Sequence, residues 1–260
     1  MRVLLTNDDG FYAEGLQTLY THIKELAEVI IVAPDQERSA VGHGITMHHP
    51  LRAKVVDENE NENTAQWMVN GTPADCVKLA LEHLIKNNPP DLIISGINRG
   101  PNLGSDVLYS GTVSAAIEGS FYKIPSLATS LAGFTKMDFN PAADFVAKNL
   151  LSLKELATDS TLNLNFPCSD KNDNFAGYRG VRFTRMGIRT YRNVIEERKD
   201  PRGQIYFWMA GEPISCNQEP DTDIQAVDEG YISVTPLHSD FTDLKFLDKY
   251  GNCSNKLSII

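Results

Sequence analysis

Short apolar runs alternate with helical patterns along the first 160 residues. Residues 2–6 and 29–33 are continuous apolar stretches bounded by turn residues, as expected of buried strands. Between them, apolar side chains from Leu16 to Leu26 recur at helical spacing. The chain is therefore predicted to begin with a β-α-β unit.

The alternation continues to about residue 157. Thr72 and Pro73 are typical of a helix start, because threonine caps and proline suits the first turn. After this helix, the pattern predicts strands over 91–95 and 124–130 and helices over 112–121 and 140–157. Strands alternating with helices indicate an α/β fold, with a mainly parallel sheet covered by helices on both faces.

The pattern of hydrophobic and polar residues changes at about residue 161. Short β-like runs are separated there by polar segments rich in glycine, proline and charge, and they cover residues 162–166, 181–185, 205–209 and 231–235. Such a pattern favours hairpins and extensions over further β-α-β units. We therefore divide the chain into residues 1–160 and a β-rich C-terminal extension, residues 161–260.

Composition narrows the class of protein. Of 260 residues, 42% are hydrophobic and 22% charged, which is typical of a globular chain. A net charge of -10 argues against a nucleic-acid polymer as partner, because such proteins carry basic patches. The chain has neither an apolar run long enough to span a membrane nor the apolar core of a signal peptide, so we expect a cytoplasmic protein without a membrane partner. Four dispersed cysteines are expected to be reduced thiols: Cys76, Cys168, Cys216 and Cys253.

Polar residues follow three predicted strands, where open α/β sheets bind ligands. Asp8 and Asp9 follow the first strand, and their neighbours Asn7 and Gly10 also suit a simple turn. The second strand leads into a long connection with Ser39, and the strand at 91–95 leads to Asn98. Carboxylate, hydroxyl and amide oxygens suit Mg²⁺ or Mn²⁺ and not zinc. Taken together, these four side chains predict a divalent metal site.

Ser110, Gly111 and Thr112 open the helix that follows Asn98. Free N–H groups and the helix dipole attract phosphate at such a position, although plain capping explains the same residues. A metal beside a phosphate site is the minimum apparatus for metal-assisted phosphoester hydrolysis. Because neither G-x-G-x-x-G nor a P-loop motif occurs, a dehydrogenase and a P-loop nucleotidase are disfavoured.

Longer motifs resemble the stationary-phase survival protein family, SurE, whose members are metal-dependent 5'-nucleotidases. The matching stretches are LLTNDDG (4–10), VAPDQERSA (32–40), NGTPADCVKLAL (70–81) and SGINRGPNLGSDVLYSGTVSAAIEG (95–119). Weaker matches are NLNFP (163–167), TRMGIRTY (184–191) and DEGYISVTPL (228–237). The resemblance spans nearly the whole chain, and the run at 95–119 is highly specific.

The resemblance implies a Rossmann-like catalytic domain in residues 1–160. Residues 161–260 would build a homodimer or homotetramer by exchange of segments. One divalent cation per subunit, Mg²⁺ or Mn²⁺, would be held by Asp8, Asp9, Ser39 and Asn98. The phosphate loop would be residues 110–112, with Asn102 close by. The implied substrates are nucleoside 5'-monophosphates, with 3'-nucleotides and short polyphosphate in some members; Arg38 and His43 are not carried over as catalytic.

We hypothesise that the cation polarises phosphorus and lowers the pKa of an attacking water, while Asp8 or Asp9 accepts the proton. The helix start at Thr112 would stabilise the transferring phosphoryl group. A covalent aspartyl nucleophile ranks second, because metal binding competes with that role. The alternative from another class is a metal-dependent nucleotide-binding regulatory module without turnover.

Overall fold

The computed structural model describes residues 1–59, 64–135, 137–168, 177–192, 194–209, 211–214 and 220–250. Its strands are β1 (Arg2–Thr6), β2 (Glu28–Pro34), β3 (Ala53–Asn59), β4 (Thr64–Val69), β5 (Leu92–Arg99), β6 (Ser126–Ala132), β7 (Thr161–Pro167), β8 (Val181–Phe183), β9 (Thr190–Arg192), β10 (Ile195–Lys199), β11 (Ile205–Met209), β12 (Glu212–Ile214) and β13 (Ile232–Leu237). Its helices are α1 (Glu14–Ile23), α2 (Pro73–Leu79), α3 (Gly111–Phe121), α4 (Asn140–Lys148), α5 (Leu150–Leu156), α6 (Asp223–Asp228) and α7 (Leu244–Tyr250). A π-helical turn, Ala80–Leu84, extends α2, and a 3₁₀ turn, Gly104–Tyr109, precedes α3.

Nine strands form one sheet in the order β3-β4-β2-β1-β5-β6-β7-β13-β8. The run from β4 to β7 is parallel throughout. Antiparallel pairs occur where β3 joins β4 and where β13 joins β7, and β8 then runs parallel to β13. The predicted α/β fold with a mainly parallel sheet is confirmed.

Helices pack on both faces of this sheet. On one face, Val3 and Leu5 of β1 belong to the same buried cluster as Leu16 of α1. On the other face, Leu4 of β1 lies in a cluster with Val77 of α2. Successive strand residues point to opposite faces, and helices cover both faces, so side chains on both faces of the strand are buried. The strand therefore appears in the sequence as one apolar run.

The chain leaves β1 and β5 in opposite directions across the sheet. β1 leads through α1 to β2 on one side, whereas β5 leads through α3 to β6 on the other. Open α/β sheets bind ligands in the crevice that forms at such a reversal. The segments that follow β1 and β5 therefore border the expected binding crevice.

Two helices are shorter than their patterns predict. α1 ends at Ile23, and Leu26 lies in the turn that leads to β2, with 58% of its surface exposed. The segment predicted as one helix over 140–157 forms two helices, because the helical conformation is interrupted at Asn149. The Phe145 carbonyl accepts both the main-chain N–H of Asn149 at 3.1 Å and its side-chain amide at 2.8 Å, so Asn149 closes the last turn of α4 before α5 begins.

The sheet continues beyond residue 160. β7 and β13 pair within the main sheet, whereas β9 with β12 and β10 with β11 form two separate antiparallel ribbons. The ribbons match the expected hairpins, but β7 and β13 extend the main sheet, β7 parallel to β6 and β13 antiparallel to β7. The division of roles between residues 1–160 and 161–260 stays a prediction.

Two other expectations concern membrane spans and thiols. No helix within the described residues is long and apolar enough to cross a membrane. Cys76 and Cys168 are free thiols, as expected, whereas Cys216 and Cys253 lie outside the described residues.

The start of α2 is fixed by a reciprocal cap. The hydroxyl oxygen of Thr72 accepts the N–H of Asp75 at 3.1 Å, and the Asp75 carboxylate accepts the N–H of Thr72 at 2.9 Å. The Thr72 hydroxyl also donates to the Gly44 carbonyl at 2.8 Å. One side chain thus caps the helix and attaches the long connection between β2 and β3.

Replacement of Thr72 by alanine removes the two bonds of the hydroxyl group and leaves the bond of the main-chain N–H to Asp75. We expect it to lower the free energy of unfolding by about 1–2 kcal/mol. Thr72→Ser keeps the hydroxyl and should recover most of the loss. Urea unfolding of the three proteins measures the differences. Equal stability of Thr72→Ala and the parent chain would contradict the capping role.

Candidate active site

Asp8 and Asp9 lie where β1 ends, beside the end of β5. The Asp9 carboxylate accepts the N–H of Arg99, the residue after Asn98, at 3.0 Å. The Asn98 side-chain nitrogen donates to the Gly100 carbonyl at 2.9 Å, which fixes the orientation of its amide. The carboxyl ends of the two strands therefore bring the acidic pair next to Asn98.

The first turn of α3 packs directly on Asp8. The Thr112 hydroxyl donates to the Asp8 carboxylate. A Cβ atom on Gly111 would lie 3.0 Å from the Asp8 Cβ and 3.1 Å from its Oδ2, closer than ordinary packing permits. Glycine at 111 thus lets the helix start approach the carboxylate, and the predicted metal and phosphate groups become contiguous.

Ser39 lies on the long connection between β2 and β3. The N–H of its neighbour Arg38 donates to the Asp8 carbonyl at 2.7 Å, which holds this connection against the end of β1. The Ser39 hydroxyl donates to the Glu37 carboxylate at 2.6 Å. Because the hydroxyl hydrogen is engaged there, the oxygen lone pairs remain available to a cation.

The same connection is attached to α2 and α3 at three further points. The Gly42 N–H donates to the Tyr109 carbonyl at 3.0 Å, and Thr46 donates to the buried Asp75 through both its N–H and its hydroxyl. His43 lies 2.9 Å from the Glu118 carboxylate of α3. His43 thus helps to attach the loop that carries Ser39 to α3.

Ser110 and Thr112 use their hydroxyl groups within the protein. The Ser110 hydroxyl oxygen accepts the Val113 N–H at 3.1 Å, so Ser110 is the N-cap of α3. The Thr112 hydroxyl is engaged with Asp8. The Thr112 N–H is also directed at the Asp8 carboxylate, where this backbone hydrogen bond lowers the pKa of Asp8. Among the described hydrogen bonds, none uses the N–H of Gly111, which is therefore the backbone donor that this helix start offers to an anion.

Asn102 is nearly buried, 7% exposed, and is held by β6 and β7. Its side-chain nitrogen donates to the Ser130 hydroxyl at 2.8 Å. Its peptide groups pair with Asn163 and Asn165. Among the described hydrogen bonds, none links Asn102 directly to the four predicted metal ligands, so the structure holds it by a separate network.

The electrostatics of the acidic pair are those of a cation site. Burial raises the pKa of Asp8 to about 6; the Thr112 hydrogen bond opposes this rise, and the charge of Asp9 adds to it. Burial likewise raises the pKa of Asp9, with the N–H of Arg99 opposing and the charge of Glu37 adding to the rise. Two carboxylates that resist ionisation in isolation gain most from a positive charge between them.

The residues present fit a hard divalent cation. Within the described part of the chain, no three His, Cys, Asp or Glu side chains cluster as a metal-binding group. Asp8 and Asp9 would supply the charged oxygens, and neutral oxygens from Ser39 and Asn98 would complete the set. All four donor atoms are oxygens, which Mg²⁺ and Mn²⁺ prefer.

A cavity of about 610 Å³ adjoins the acidic pair. Asp9, Ser39, Glu14 and Glu37 provide polar lining. Phe134, Met137 and Phe139 provide apolar lining. Arg99 also borders the cavity, and its guanidinium donates to the Phe134 carbonyl at 3.0 Å. The cavity thus offers an apolar wall and hydrogen-bond acceptors beside the predicted metal ligands.

Several contacting residues were not identified from the sequence: Glu37, Ser130, Asn163 and Asn165. Glu37 resembles an ordinary loop acid, and nothing local distinguishes it. A usable signal existed for the two asparagines, because alternating polar residues in a buried strand demand hydrogen-bond partners. That signal does not identify the partner.

The fold and these groups define a class of protein: an α/β enzyme with a metal-assisted phosphoester site. The Survival protein SurE family model matches residues 3–193. The chain is 48% identical to the 5'-nucleotidase SurE of Alkaliphilus metalliredigens, covering 97% of this chain and 98% of the relative. It is 51% identical to the 5'-nucleotidase SurE of Desulforudis audaxviator, covering 95% of each.

A solved structure agrees with these relatives. The crystal structure of the SurE protein from Aquifex aeolicus superposes with a TM-score of 0.82 at 37% identity, covering 97% of this chain and 99% of that one. The chain belongs to the SurE family, as its motifs predict.

The raised pKa of Asp8 predicts a pH-dependent stability. Ionised Asp8 destabilises the metal-free fold above about pH 6, and protonation removes that cost as the pH falls through its pKa. In EDTA at about pH 8, Asp8→Asn should therefore be more stable than the parent chain, by an amount of order 2 kcal/mol. The difference should shrink to about 1 kcal/mol near pH 4.5, where folded Asp8 is mostly protonated.

Chemical unfolding at both pH values measures this difference. Asp144→Asn is the matched control, because Asp144 is a half-exposed carboxylate on α4 that pairs with Lys148. The control should show no such stabilisation at the higher pH. A less stable Asp8→Asn at about pH 8 would contradict the electrostatic account.

Proposed function

We propose that this protein is a metal-dependent 5'-nucleotidase that hydrolyses nucleoside 5'-monophosphates to nucleoside and phosphate. Nucleoside 3'-monophosphates and short polyphosphate are proposed as further substrates. The observation that carries the proposal is the contact of Asp8 with the start of α3, which joins paired carboxylates to an anion-binding helix start. Family membership and relatives named 5'-nucleotidase support the choice of nucleotide.

One divalent cation per subunit, Mg²⁺ or Mn²⁺, is proposed as cofactor. Asp8, Asp9, Ser39 and Asn98 would hold it, with the hydrogen bond to Glu37 orienting the Ser39 hydroxyl. When bound, such a cation neutralises phosphate charge and makes water a better nucleophile near neutral pH. The acidic pair alone would repel a phosphate, so binding of the substrate depends on the cation.

Side chains and peptide groups of the protein would bind the phosphate and accept the proton. The N–H of Gly111 at the start of α3 binds a phosphate oxygen, with Ser110, Thr112 and Asn102 as further phosphate-binding residues. Of the two aspartates, Asp9 is the more exposed, and one of its oxygens is occupied by the N–H of Arg99. Its other oxygen, Oδ1, accepts the proton of the attacking water.

The cavity beside Asp9 is proposed to receive the nucleoside. Its apolar lining suits a base, and Phe134 keeps 64% of its surface exposed, so its ring is accessible for stacking. Glu14 and Glu37 supply acceptors for ribose hydroxyls. In this proposal the phosphate lies at the helix start and the base lies in the cavity.

A homodimer or homotetramer in the cytoplasm is proposed as the assembled form. The β10–β11 ribbon supports assembly, because five apolar side chains of the ribbon are more than half exposed: Ile195, Ile205, Phe207, Trp208 and Met209. Surfaces of this kind in an isolated chain usually mark a protein interface.

Turnover distinguishes the nucleotidase from a regulatory module. After EDTA treatment, phosphate release from AMP and GMP should fall to background and return with Mn²⁺ or Mg²⁺. Asp9→Asn should lower kcat by about a hundredfold or more, because both cation binding and proton transfer are lost. Asp144→Asn is the control and should remain fully active. Metal-dependent nucleotide binding without phosphate release would favour the module instead.

Replacement of Phe134 tests the nucleoside position. Phe134→Ala should raise the KM for AMP about tenfold, since base stacking on an aromatic ring contributes of order 1–3 kcal/mol. The KM for ribose 5-phosphate, which has no base, should not change. Leu151→Ala, which truncates an exposed apolar side chain on α5, is the control. Equal changes for both substrates would place the base elsewhere.

A further inference from the structure

Two asparagines of β7 hold the peptide groups of Asn102. The N–H of Asn102 donates to Asn165 Oδ1 at 2.8 Å, and Asn165 Nδ2 donates back to the Asn102 carbonyl at 3.0 Å. Asn163 Nδ2 donates to the same carbonyl at 2.8 Å. Asn165 thus engages both peptide groups of Asn102, and Asn163 adds a third bond; we call these three bonds the β7 clamp.

The asparagines are costly to bury, and packing alone does not explain them. Both are fully buried in β7, whereas the alternate residues Leu164 and Phe166 fill the apolar core. Asn163 Oδ1 has no hydrogen-bond partner within the described residues. A buried polar atom without a partner costs free energy, and an apolar side chain would avoid that cost. We therefore attribute these asparagines to the fixed position that they give to the segment around Asn102, and not to stability.

The segment around Asn102 contacts residues that lie in register with Asn98, one of the predicted metal ligands. Asn98 of β5 pairs in register with Ser130 of β6, which pairs with Asn165 of β7. Ser130 also accepts the side-chain nitrogen of Asn102 at 2.8 Å. One row across three strands thus fixes Asn98 and, through Ser130 and Asn165, both the main chain and the side chain of Asn102.

We propose that Asn165, assisted by Asn163, is a positioning residue for phosphate binding, and this rests on the proposed function. Neither asparagine touches the substrate. The β7 clamp sets the main chain at Asn102 so that the second N–H of its side-chain amide, left free by Ser130, meets a phosphate oxygen. Groups that recognise a reacting centre need such support, because small misplacements lower the rate steeply.

Replacement of Asn165 by leucine keeps the approximate volume and removes both of its hydrogen bonds to the main chain of Asn102. We expect kcat/KM for AMP to fall about ten- to a hundredfold and the Ki of inorganic phosphate to rise with it. The Mn²⁺ concentration for half-maximal activity should not change, because the clamp does not touch the metal ligands. Asn163→Ala, which loses one bond, should show a smaller effect in the same direction.

A control separates positioning from general stability. Leu164→Ala creates a cavity on the opposite face of β7 and should lower the Tm without changing the Ki of phosphate. If Asn165→Leu does not fold, Asn165→Asp replaces it, since the carboxylate keeps the acceptor for the Asn102 N–H and loses the donor to its carbonyl. An Asn165 variant that is less stable but retains the parent Ki and kcat/KM would overturn the proposal.

A double-mutant cycle tests whether Asn165 acts through Asn102. Asn102→Ala should weaken phosphate binding, and adding Asn165→Leu to it should cause little further loss. Additive losses would overturn the positioning role while leaving Asn102 as a phosphate ligand. An Asn102→Ala variant with unchanged Ki would overturn both, yet the metal-dependent release of phosphate would still test the nucleotidase function separately.

Discussion

The contact between Asp8 and the first turn of α3 is the constraint on which the rest of the site depends. It joins a carboxylate at the end of β1 to a hydroxyl more than 100 residues later in the chain. Gly111 makes the approach possible, and the Arg38 N–H holds the Ser39 connection against the same residue. The buried Asp8 carboxylate, whose ionisation is costly, thus lies between the predicted cation site and the anion-binding start of α3.

The local half of this arrangement could be predicted from the sequence. Asp8, Asp9 and Asn98 follow buried strands, and the carboxyl ends of parallel strands lie at one edge, so their proximity follows from the fold class. The helix start at residues 110–112 is likewise a local motif. The alternation of strands and helices was sufficient to identify the mainly parallel sheet.

The remainder depends on pairings between distant segments. Nothing in residues 161–167 indicates that this strand joins β6, because register and neighbours are chosen by the whole sheet. The Thr112 hydroxyl reads equally well as a phosphate donor until its partner Asp8 is known. The interruption at Asn149, where one carbonyl accepts both the main-chain N–H and the side-chain amide, cannot be seen in helical periodicity.

The β7 clamp grips the peptide groups of residue 102 and makes no use of its side chain. The path of the main chain at this position is therefore independent of which amino acid occupies it. Evolution or protein engineering can exchange the group presented to the substrate while the frame that presents it stays in place. In such an architecture, the choice of substrate and the integrity of the scaffold are separate traits, open to selection one at a time.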